Sequence, residues 1–257
     1  MPVLPGAEPF AYDGSTDIGV LICHGFTGSP RSMRPWAEHA REAGFSVRLP
    51  LLPGHGTAWQ DLNRTGWRDW YATVEQALLE LSARCRSVFV FGLSMGGTLS
   101  LRLAECHNPE IAGLVLVNPS VTTLRRDAAL LPLLSRLLPS VAAIGNDIKK
   151  PDTTEGSYDR TPLRAAASLR ELWGIVRADL SKIETPLLLL RSAEDHVVEP
   201  VNAKLILDNI SSTDVREVVL PNSFHVATLD NDAATIFTES VDFARRIHTQ
   251  RTTQQAG

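Results

Sequence analysis

The sequence predicts an α/β protein in which a mostly parallel central sheet is flanked by helices and carries a small, mainly helical cap insertion. Short apolar runs rich in Val, Ile, Leu and Phe recur along the chain, a pattern typical of strands buried on both faces. Segments with helical spacing separate most of these runs, as crossover helices do. The alternation fails once, between about residues 120 and 180, and this gap indicates the insertion.

Each element follows from its local pattern. The apolar runs bounded by turn residues predict strands at 18–23, 45–49, 87–91, 113–117, 187–191 and 215–220. Helical spacing predicts helices at 32–43, 67–83, 95–107, 201–209 and 233–247. No convincing strand pattern exists within the insertion. We therefore expect an α/β core at 1–119 and 181–248, a cap at 120–180 and a flexible C-terminal tail at 249–257.

Composition narrows the possible partners and location. The chain has 257 residues, is 44% hydrophobic and carries a dispersed net charge of -4, so it can bury one large core and has no basic stripe for nucleic acid. Its first residues, rich in proline, lack the basic and apolar regions of a secretory signal, which favours a cytoplasmic location. The three scattered cysteines favour reduced thiols over a disulfide framework or a zinc site.

The motif Gly92-Leu93-Ser94-Met95-Gly96 lies where a predicted strand meets a predicted helix. G-x-S-x-G at such a junction is typical of a nucleophile elbow, in which small neighbours permit a strained serine to protrude above the carboxyl edge of the sheet. The alternative is a glycine turn with an incidental serine. Because the motif falls at the required junction, we expect Ser94 to be a nucleophile.

A serine nucleophile needs a base, and the base needs an acid that orients it. In this architecture the acid follows the serine along the chain, and the histidine follows the acid. Asp195 follows a predicted strand by four residues, and His225 occupies the loop after the last strand. We expect these two to complete a catalytic triad. Glu194 and Glu199 are alternative acids, each readable as a solvated loop carboxylate, and His196 is the alternative base.

An oxyanion intermediate needs hydrogen-bond donors. The backbone N–H after the nucleophile, that of Met95, is one expected donor, and the loop after the first strand supplies the other, which we assign to Phe26. The alternative for that loop is a plain glycine turn. The chain has no HExxH or HxxEH spacing and this chemistry requires no metal or cofactor, so none is expected.

At this point the chain resembles the α/β-hydrolase superfamily, and within it the bacterial monoacylglycerol lipases and small carboxylesterases. The motifs that carry the resemblance are HGFTGSPRSMRPWAE at 24–38, PLLPGHGT at 50–57, GLSMGGTLSL at 92–101, EDHVV at 194–198 and SFHVATLD at 223–230. IGNDIKKPD at 144–152 is similar to the cap of the monoacylglycerol lipases. The resemblance covers nearly the whole chain and is weakest at about 121–138.

The resemblance implies an α/β-hydrolase fold with the triad and the two oxyanion donors already assigned. It further implies a helical cap and a narrow pocket for a glycerol head group, with Glu155 and Ile144 at substrate-binding positions. The leucine-rich stretch 130–138 would form the mouth of an acyl tunnel or a patch that contacts lipid aggregates or a membrane surface. Its alternative is a cap helix packed onto the sheet.

The expected function is that of a serine hydrolase that cleaves a monoacylglycerol to glycerol and fatty acid through an acyl-enzyme. The first alternative is a general carboxylesterase for short- to medium-chain esters. Hydrolysis of a carbon–carbon bond or of another acyl group is a further possibility, because fold does not determine substrate. A non-catalytic ligand-binding protein on the same fold is the alternative from a different class.

Overall fold

The fold is described from a computed structural model that covers residues 1–125, 130–143 and 145–256. Its strands are β1 (Phe10–Tyr12), β2 (Ser15–Cys23), β3 (Phe45–Leu49), β4 (Ser87–Leu93), β5 (Ile111–Val117), β6 (Ser140–Ala142), β7 (Arg160–Pro162), β8 (Leu187–Ser192) and β9 (Val215–Leu220). Its helices are α1 (Pro30–Glu42), α2 (Trp59–Leu62), α3 (Trp67–Ser82), α4 (Met95–His107), α5 (Leu131–Leu137), α6 (Leu163–Asp179), α7 (Val201–Asn209) and α8 (Ala233–Ala256).

The central sheet has seven strands in the order β1-β3-β2-β4-β5-β8-β9. Only β1 pairs antiparallel, at the edge beside β3, and the other pairs in this sheet are parallel. The predicted mostly parallel sheet flanked by helices is therefore confirmed. Strand β1 was not predicted, because three residues with one half-buried side chain give no periodic signal.

Both faces of the central strands are buried, which explains their nearly uninterrupted apolar runs. Leu21 and Val90 point into one cluster, where α3, α4 and α6 pack. Their neighbours Ile22 and Phe91 point into the opposite cluster, with α1 and α8. The Trp36 ring of α1 stacks on Phe91 with centroids 5.0 Å apart. Successive residues of β2, β4, β5 and β8 alternate between two apolar layers, so few positions in these strands are polar. The edge strand β9, predicted to be buried on both faces, is instead mostly exposed and carries Arg216 and Glu217.

The insertion contains a small antiparallel sheet that the sequence did not predict. Strand β6 pairs with β7 in the register Ser140↔Pro162 to Ala142↔Arg160. Each strand has three residues, too few for an alternation to be recognised. Helix α5 precedes this pair and packs on α6, which follows it, whereas residues 145–159 between the two strands form neither helix nor strand.

The last helix is longer than predicted. The sequence predicts that it ends at residue 247 and that 249–257 is a flexible tail, whereas α8 continues to Ala256. No glycine or proline interrupts this segment, and the hydroxyls of Thr249 and Thr253 donate to the carbonyls four residues earlier, at 2.9 Å each. Nδ1 of His248 also lies 2.9 Å from Oγ of Ser87 at the start of β4. A polar segment thus extends the helix without an apolar stripe.

None of the helices in the described residues combines the length and the apolar composition that crossing a bilayer requires.

Candidate active site

Ser94 lies between the end of β4 and the start of α4 with φ 54° and ψ -118°, a conformation that is strained for a residue with a side chain. The flanking glycines make the turn possible. A methyl group at Gly92 would overlap the carbonyl of Gly96 and stand 2.5 Å from Oγ of Ser100. The strained serine predicted at this junction is therefore observed, held by packing that leaves no space for a side chain at position 92.

The loop after β2 lies beside this serine. A methyl group at Gly25 would be in contact with the Ser94 side chain, 3.6 Å from its Cβ. The carbonyl of Phe26 accepts a hydrogen bond from the Thr27 hydroxyl at 2.6 Å, and Thr27 has a positive φ of 61°. The backbone N–H groups of Phe26 and Met95 donate to no other residue in the described part of the chain. They are thus available to a ligand.

His24, which was not among the predicted site residues, forms hydrogen bonds that hold this loop. The ring is fully buried; its Nε2 accepts from the N–H of Leu52 at 3.2 Å, so its Nδ1 carries the proton and donates to the carbonyl of Gly25 at 3.0 Å. Burial lowers the pKa of the His24 imidazole to about 4. A neutral histidine therefore links the loop after β2 to the loop after β3. Its position directly before the turn glycine was the only sequence signal.

The structure brings Asp195 and His225 together. Oδ2 of Asp195 lies 2.8 Å from Nδ1 of His225, and both side chains are less than one-tenth exposed. The other oxygen, Oδ1, accepts the N–H groups of Val197 and Val198 at 2.8 Å each. Because Asp195 is anchored by two amides, its second oxygen has a fixed direction toward the imidazole.

Burial and charge act in opposite directions on this pair. Burial alone lowers the pKa of the His225 imidazole, but the hydrogen bond to Asp195 and the negative charges of Asp195, Glu155 and Asp147 outweigh it, so the pKa is raised above 6.5. Burial alone raises the pKa of Asp195, but the hydrogen bond and charge of His225, with the two amides, outweigh it and lower that pKa. The imidazole is thus a stronger base than in water.

The alternative acids and base have other partners. Glu194 is exposed and lies near Lys149 and the ring of His196. Oε1 of Glu199 accepts the N–H of Leu124 at 2.9 Å and the hydroxyl of Thr123 at 3.1 Å. Nδ1 of His196 lies 2.8 Å from Oδ1 of Asp147. The geometry therefore favours Asp195 and His225 over these candidates.

Two cavities open at Ser94. The smaller has a volume of about 90 Å³ and is lined by Ser94, His225, Glu155 and Phe26 among others. The larger has a volume of about 330 Å³ and shares Ser94 and Phe26 with the first. Its wall is mainly apolar; the apolar residues that line it include Leu131, Leu134, Val141, Leu163, Leu169 and Trp173. The serine thus stands between a small, more polar compartment and a long apolar one.

Glu155 is buried in the wall of the small cavity. Its Oε1 accepts the N–H of Asn146 at 3.0 Å, and its own N–H donates to the side-chain oxygen of Asn146 at 3.0 Å. Oε2 of Glu155 lies near Gly28 and has no hydrogen-bond partner among the residues that the structure describes. Ile144, the other predicted substrate-binding residue, lies outside the described residues.

The leucines of helix α5 lie in two different environments. Leu131 and Leu134 line the large cavity. Leu133 and Leu137 are 58% and 72% exposed. The sequence left open whether this stretch borders an acyl tunnel, contacts lipid or packs on the sheet. The helix packs on α6, contributes one face to the cavity and leaves the other face open.

Comparisons with known proteins place the chain in a family. Residues 14–232 match the protein family described as Hydrolase_4, Serine aminopeptidase, S33. A thermostable monoacylglycerol lipase of Bacillus sp. (strain H-257) is 47% identical over 242 residues, which cover 94% of this chain and 96% of that lipase. The chain belongs to the Hydrolase_4 family of α/β-hydrolases. A second relative, a carboxylesterase of Bacillus subtilis (strain 168), is 25% identical over 93% of the chain and 97% of the carboxylesterase.

Solved structures of lipolytic enzymes share the fold of this chain. A structure from work on LipS and LipT, two metagenome-derived lipolytic enzymes, has a TM-score of 0.92 and 40% identity, covering 95% of this chain and 100% of that one. The monoacylglycerol lipase of Paleococcus ferrophilus has a TM-score of 0.77 at 20% identity, over 93% and 99% of the two chains, and shows the shared fold. The resemblance to bacterial monoacylglycerol lipases and small carboxylesterases is confirmed.

Proposed function

We propose that the protein is a serine hydrolase that cleaves monoacylglycerols to glycerol and a fatty acid. The observation that carries the proposal is the position of Ser94 between a small cavity that includes the carboxylates of Glu155 and Asp147 in its wall and a large, mainly apolar one. An ester with a small polar alcohol and a long apolar acyl chain has this same division at its carbonyl carbon. The 47% identity to a monoacylglycerol lipase supports the same substrate class.

The proposed reaction has two half-reactions. Nε2 of His225 removes the proton of the Ser94 hydroxyl, and Oγ attacks the ester carbonyl. The N–H groups of Phe26 and Met95 would donate to the resulting oxyanion. The imidazolium then protonates the leaving glycerol oxygen, which leaves an acyl-serine. Water, deprotonated by His225, attacks this ester, and the fatty acid departs as the proton returns to Oγ of Ser94. Asp195 stabilises the imidazolium in both steps.

Cavity size supports the two subsites. The cavity of about 330 Å³ is several times larger than the one of about 90 Å³, so the acyl chain belongs in the large cavity and the small alcohol in the small one. In the proposal, Oε2 of Glu155 accepts a glycerol hydroxyl. Monoacylglycerols of medium or long chain should therefore be better substrates than short simple esters.

Turnover of matched esters tests the substrate class. The purified protein is incubated with monodecanoylglycerol, with ethyl decanoate and with ethyl acetate, and glycerol and acid release are measured. We expect the glycerol ester to have the highest kcat/KM of the three, because it alone fills both cavities. Ser94→Ala should abolish turnover and labelling by a fluorophosphonate, which also separates an enzyme from a ligand-binding protein. Rapid ethyl ester hydrolysis without glycerol release would reject the monoacylglycerol assignment.

A general carboxylesterase is the second candidate, because the larger cavity has a mainly apolar wall that would accept many acyl chains. The carboxylesterase relative supports this alternative. Glu155→Gln discriminates between the two. If the glycerol head group is recognised here, the variant should lose activity on the glycerol ester and keep its activity on ethyl decanoate.

The exposed leucines of the cap support contact with a lipid surface. Leu124, Leu133 and Leu137 are each more than half exposed, and the last two lie on α5, which lines the large cavity with Leu131 and Leu134. Monoacylglycerols aggregate in water, so an apolar rim would bring the cavity to its substrate. Co-sedimentation with phosphatidylcholine vesicles tests this contact. The double variant Leu133→Ser/Leu137→Ser should sediment less, whereas Leu79→Ser, a change at an exposed leucine of α3, should not.

A cytoplasmic location belongs to the same proposal. It is supported by Cys23, Cys85 and Cys106, which are free thiols. Fractionation of the native host, followed by immunodetection, would test it.

A further inference from the structure

Asp147 is a cap residue that takes no part in the proposed proton transfers. It contacts the loop that carries Asp195 and the loop that carries His225. Its Oδ2 accepts the backbone N–H of His225 at 3.2 Å and the backbone N–H of His196 at 3.1 Å. Its Oδ1 lies 2.8 Å from Nδ1 of the His196 ring. The side chain is 15% exposed and borders the small cavity. One carboxylate thus joins the turn after Asp195 to the backbone of His225.

The backbone at Asp147 is also hydrogen-bonded to the loop that carries His225. Its carbonyl accepts the N–H of Val226 at 3.0 Å. Asp230, on the far side of the loop, accepts the N–H groups of Lys149 and Lys150 at 2.7 and 2.9 Å, and that of Phe224 at 2.9 Å. The cap segment 147–150 is therefore part of the wall that holds His225.

We propose that Asp147 is a positioning residue that fixes the His225 loop against the turn carrying Asp195 and so aligns the imidazole with Ser94. The inference rests on the proposed function, in which His225 acts as the base. The two loops follow different strands, β8 and β9, and Asp147 ties their backbones together beside the Asp195–His225 hydrogen bond. A displacement of about 1 Å at a catalytic group can cost about 100-fold in rate, so a link of this kind affects kcat.

The charge of Asp147 gives this role a second consequence. The charged groups that face the His225 ring are Asp195, Glu155 and Asp147, and each raises its pKa. His196 lies on the outer side of Asp147, and the hydrogen bond and charge of Asp147 raise the pKa of His196 as well. Protonated His196 therefore offsets part of the charge that Asp147 presents to His225. Removal of either group should move the titration of His225, in opposite directions.

Two substitutions at position 147 separate geometry from charge. Asp147→Ala removes both, and we expect kcat on a monoacylglycerol to fall by about 100-fold while KM changes little. Asp147→Asn can keep the amide oxygen on the two N–H groups while removing the charge. We expect a smaller loss of kcat and a shift of the acidic limb of the kcat/KM profile to lower pH. Asp152→Asn, at an exposed cap residue with a positive φ, is the matched control and should change neither quantity.

His196→Ala provides a test with the opposite sign. It leaves the two amide bonds to Asp147 in place, so kcat should stay near the wild-type value, and the acidic limb should move to higher pH. NMR titration of the His225 ring measures the same shifts without turnover, which keeps this inference separate from the substrate assignment. Wild-type kcat in Asp147→Ala, or unchanged His225 titration in both Asp147→Asn and His196→Ala, would overturn it. If Asp147→Ala does not fold, the latter two variants decide.

Discussion

The Cα atom of Gly96 lies so close to the end of β2 that a methyl group at position 96 would overlap the carbonyl oxygen of Cys23 and stand 2.9 Å from that of His24. The helix that opens after Ser94 therefore packs directly on the backbone that leads into the Phe26 loop. Because both neighbours are backbone atoms, neither can move aside as a side chain could. The spacing between the serine and the loop amides depends on this contact.

Gly96→Ala should displace the loop after β2 from Ser94. We expect a loss of about 100-fold or more in kcat, the usual effect of removing one oxyanion donor, provided the variant folds. Gly174→Ala is the control, since a methyl group there has no described atom within 4 Å and lies in helix α6. It should raise the free energy of unfolding by about 0.5–1 kcal/mol without changing kcat. Wild-type activity in Gly96→Ala would contradict the packing argument.

The pH dependence of turnover should follow the His225–Asp195 pair. The pKa of His225 is raised above 6.5, and the imidazole must be neutral to act as a base, so kcat/KM should fall as pH decreases through that raised value. Asp195→Asn removes the charge and the fixed tautomer. We expect its kcat to fall by about 10³–10⁴-fold and its acidic limb to move to lower pH. An unchanged limb would argue against Asp195 as the partner of the catalytic base.

Glu105 on α4 should make the protein less stable in alkali. Its side chain is fully buried, one oxygen accepts from Arg102 at 2.9 Å, and the other has no partner among the described residues. Burial raises its pKa to about 8, against an ordinary value of 4.5. Between these values the unfolded chain has lost the proton that the folded chain keeps, so the free energy of unfolding falls as pH rises.

Glu105→Gln removes this titration and keeps an acceptor for Arg102. We expect the variant to be more stable than wild type by about 1–3 kcal/mol at pH 9 and nearly equal to it at pH 4.5, measured by urea unfolding. Glu110→Gln, at an exposed residue beyond the end of α4, should show no such difference. Equal stability of Glu105→Gln and wild type across this range would show that the buried carboxylate does not titrate as described.

Chain-length preference should be set by the wall of the large cavity. Ala166 of α6 lines it, whereas the adjacent Ala167 does not. Ala166→Leu adds three carbons to the wall, so kcat/KM for a twelve-carbon monoacylglycerol should fall by about tenfold, while a four-carbon ester is affected little. Ala167→Leu is the matched control. Equal losses on both substrates in Ala166→Leu would place the acyl chain elsewhere.

The sequence alone determined the central strands and the elbow, because both leave a local pattern of residues along the chain. Apolar runs mark β2, β4, β5 and β8 since both faces of those strands are buried. Gly92 and Gly96 around Ser94 mark a strained turn since only glycine fits there. The two short strands of the cap have no recognisable sequence pattern and were not predicted. The polar C-terminal end of α8 was not predicted either, because it has no apolar stripe.

Only the tertiary structure decided which charged groups meet. Asp147 and His225 are separated by 78 residues, and no local pattern distinguishes Asp147 from the solvated acids around it. The same holds for the leucines of α5, whose spacing does not reveal which of them face the cavity. Local sequence determines secondary structure because backbone sterics and burial act over a few residues. A carboxylate, by contrast, acquires its hydrogen-bond partners only when distant loops pack against it.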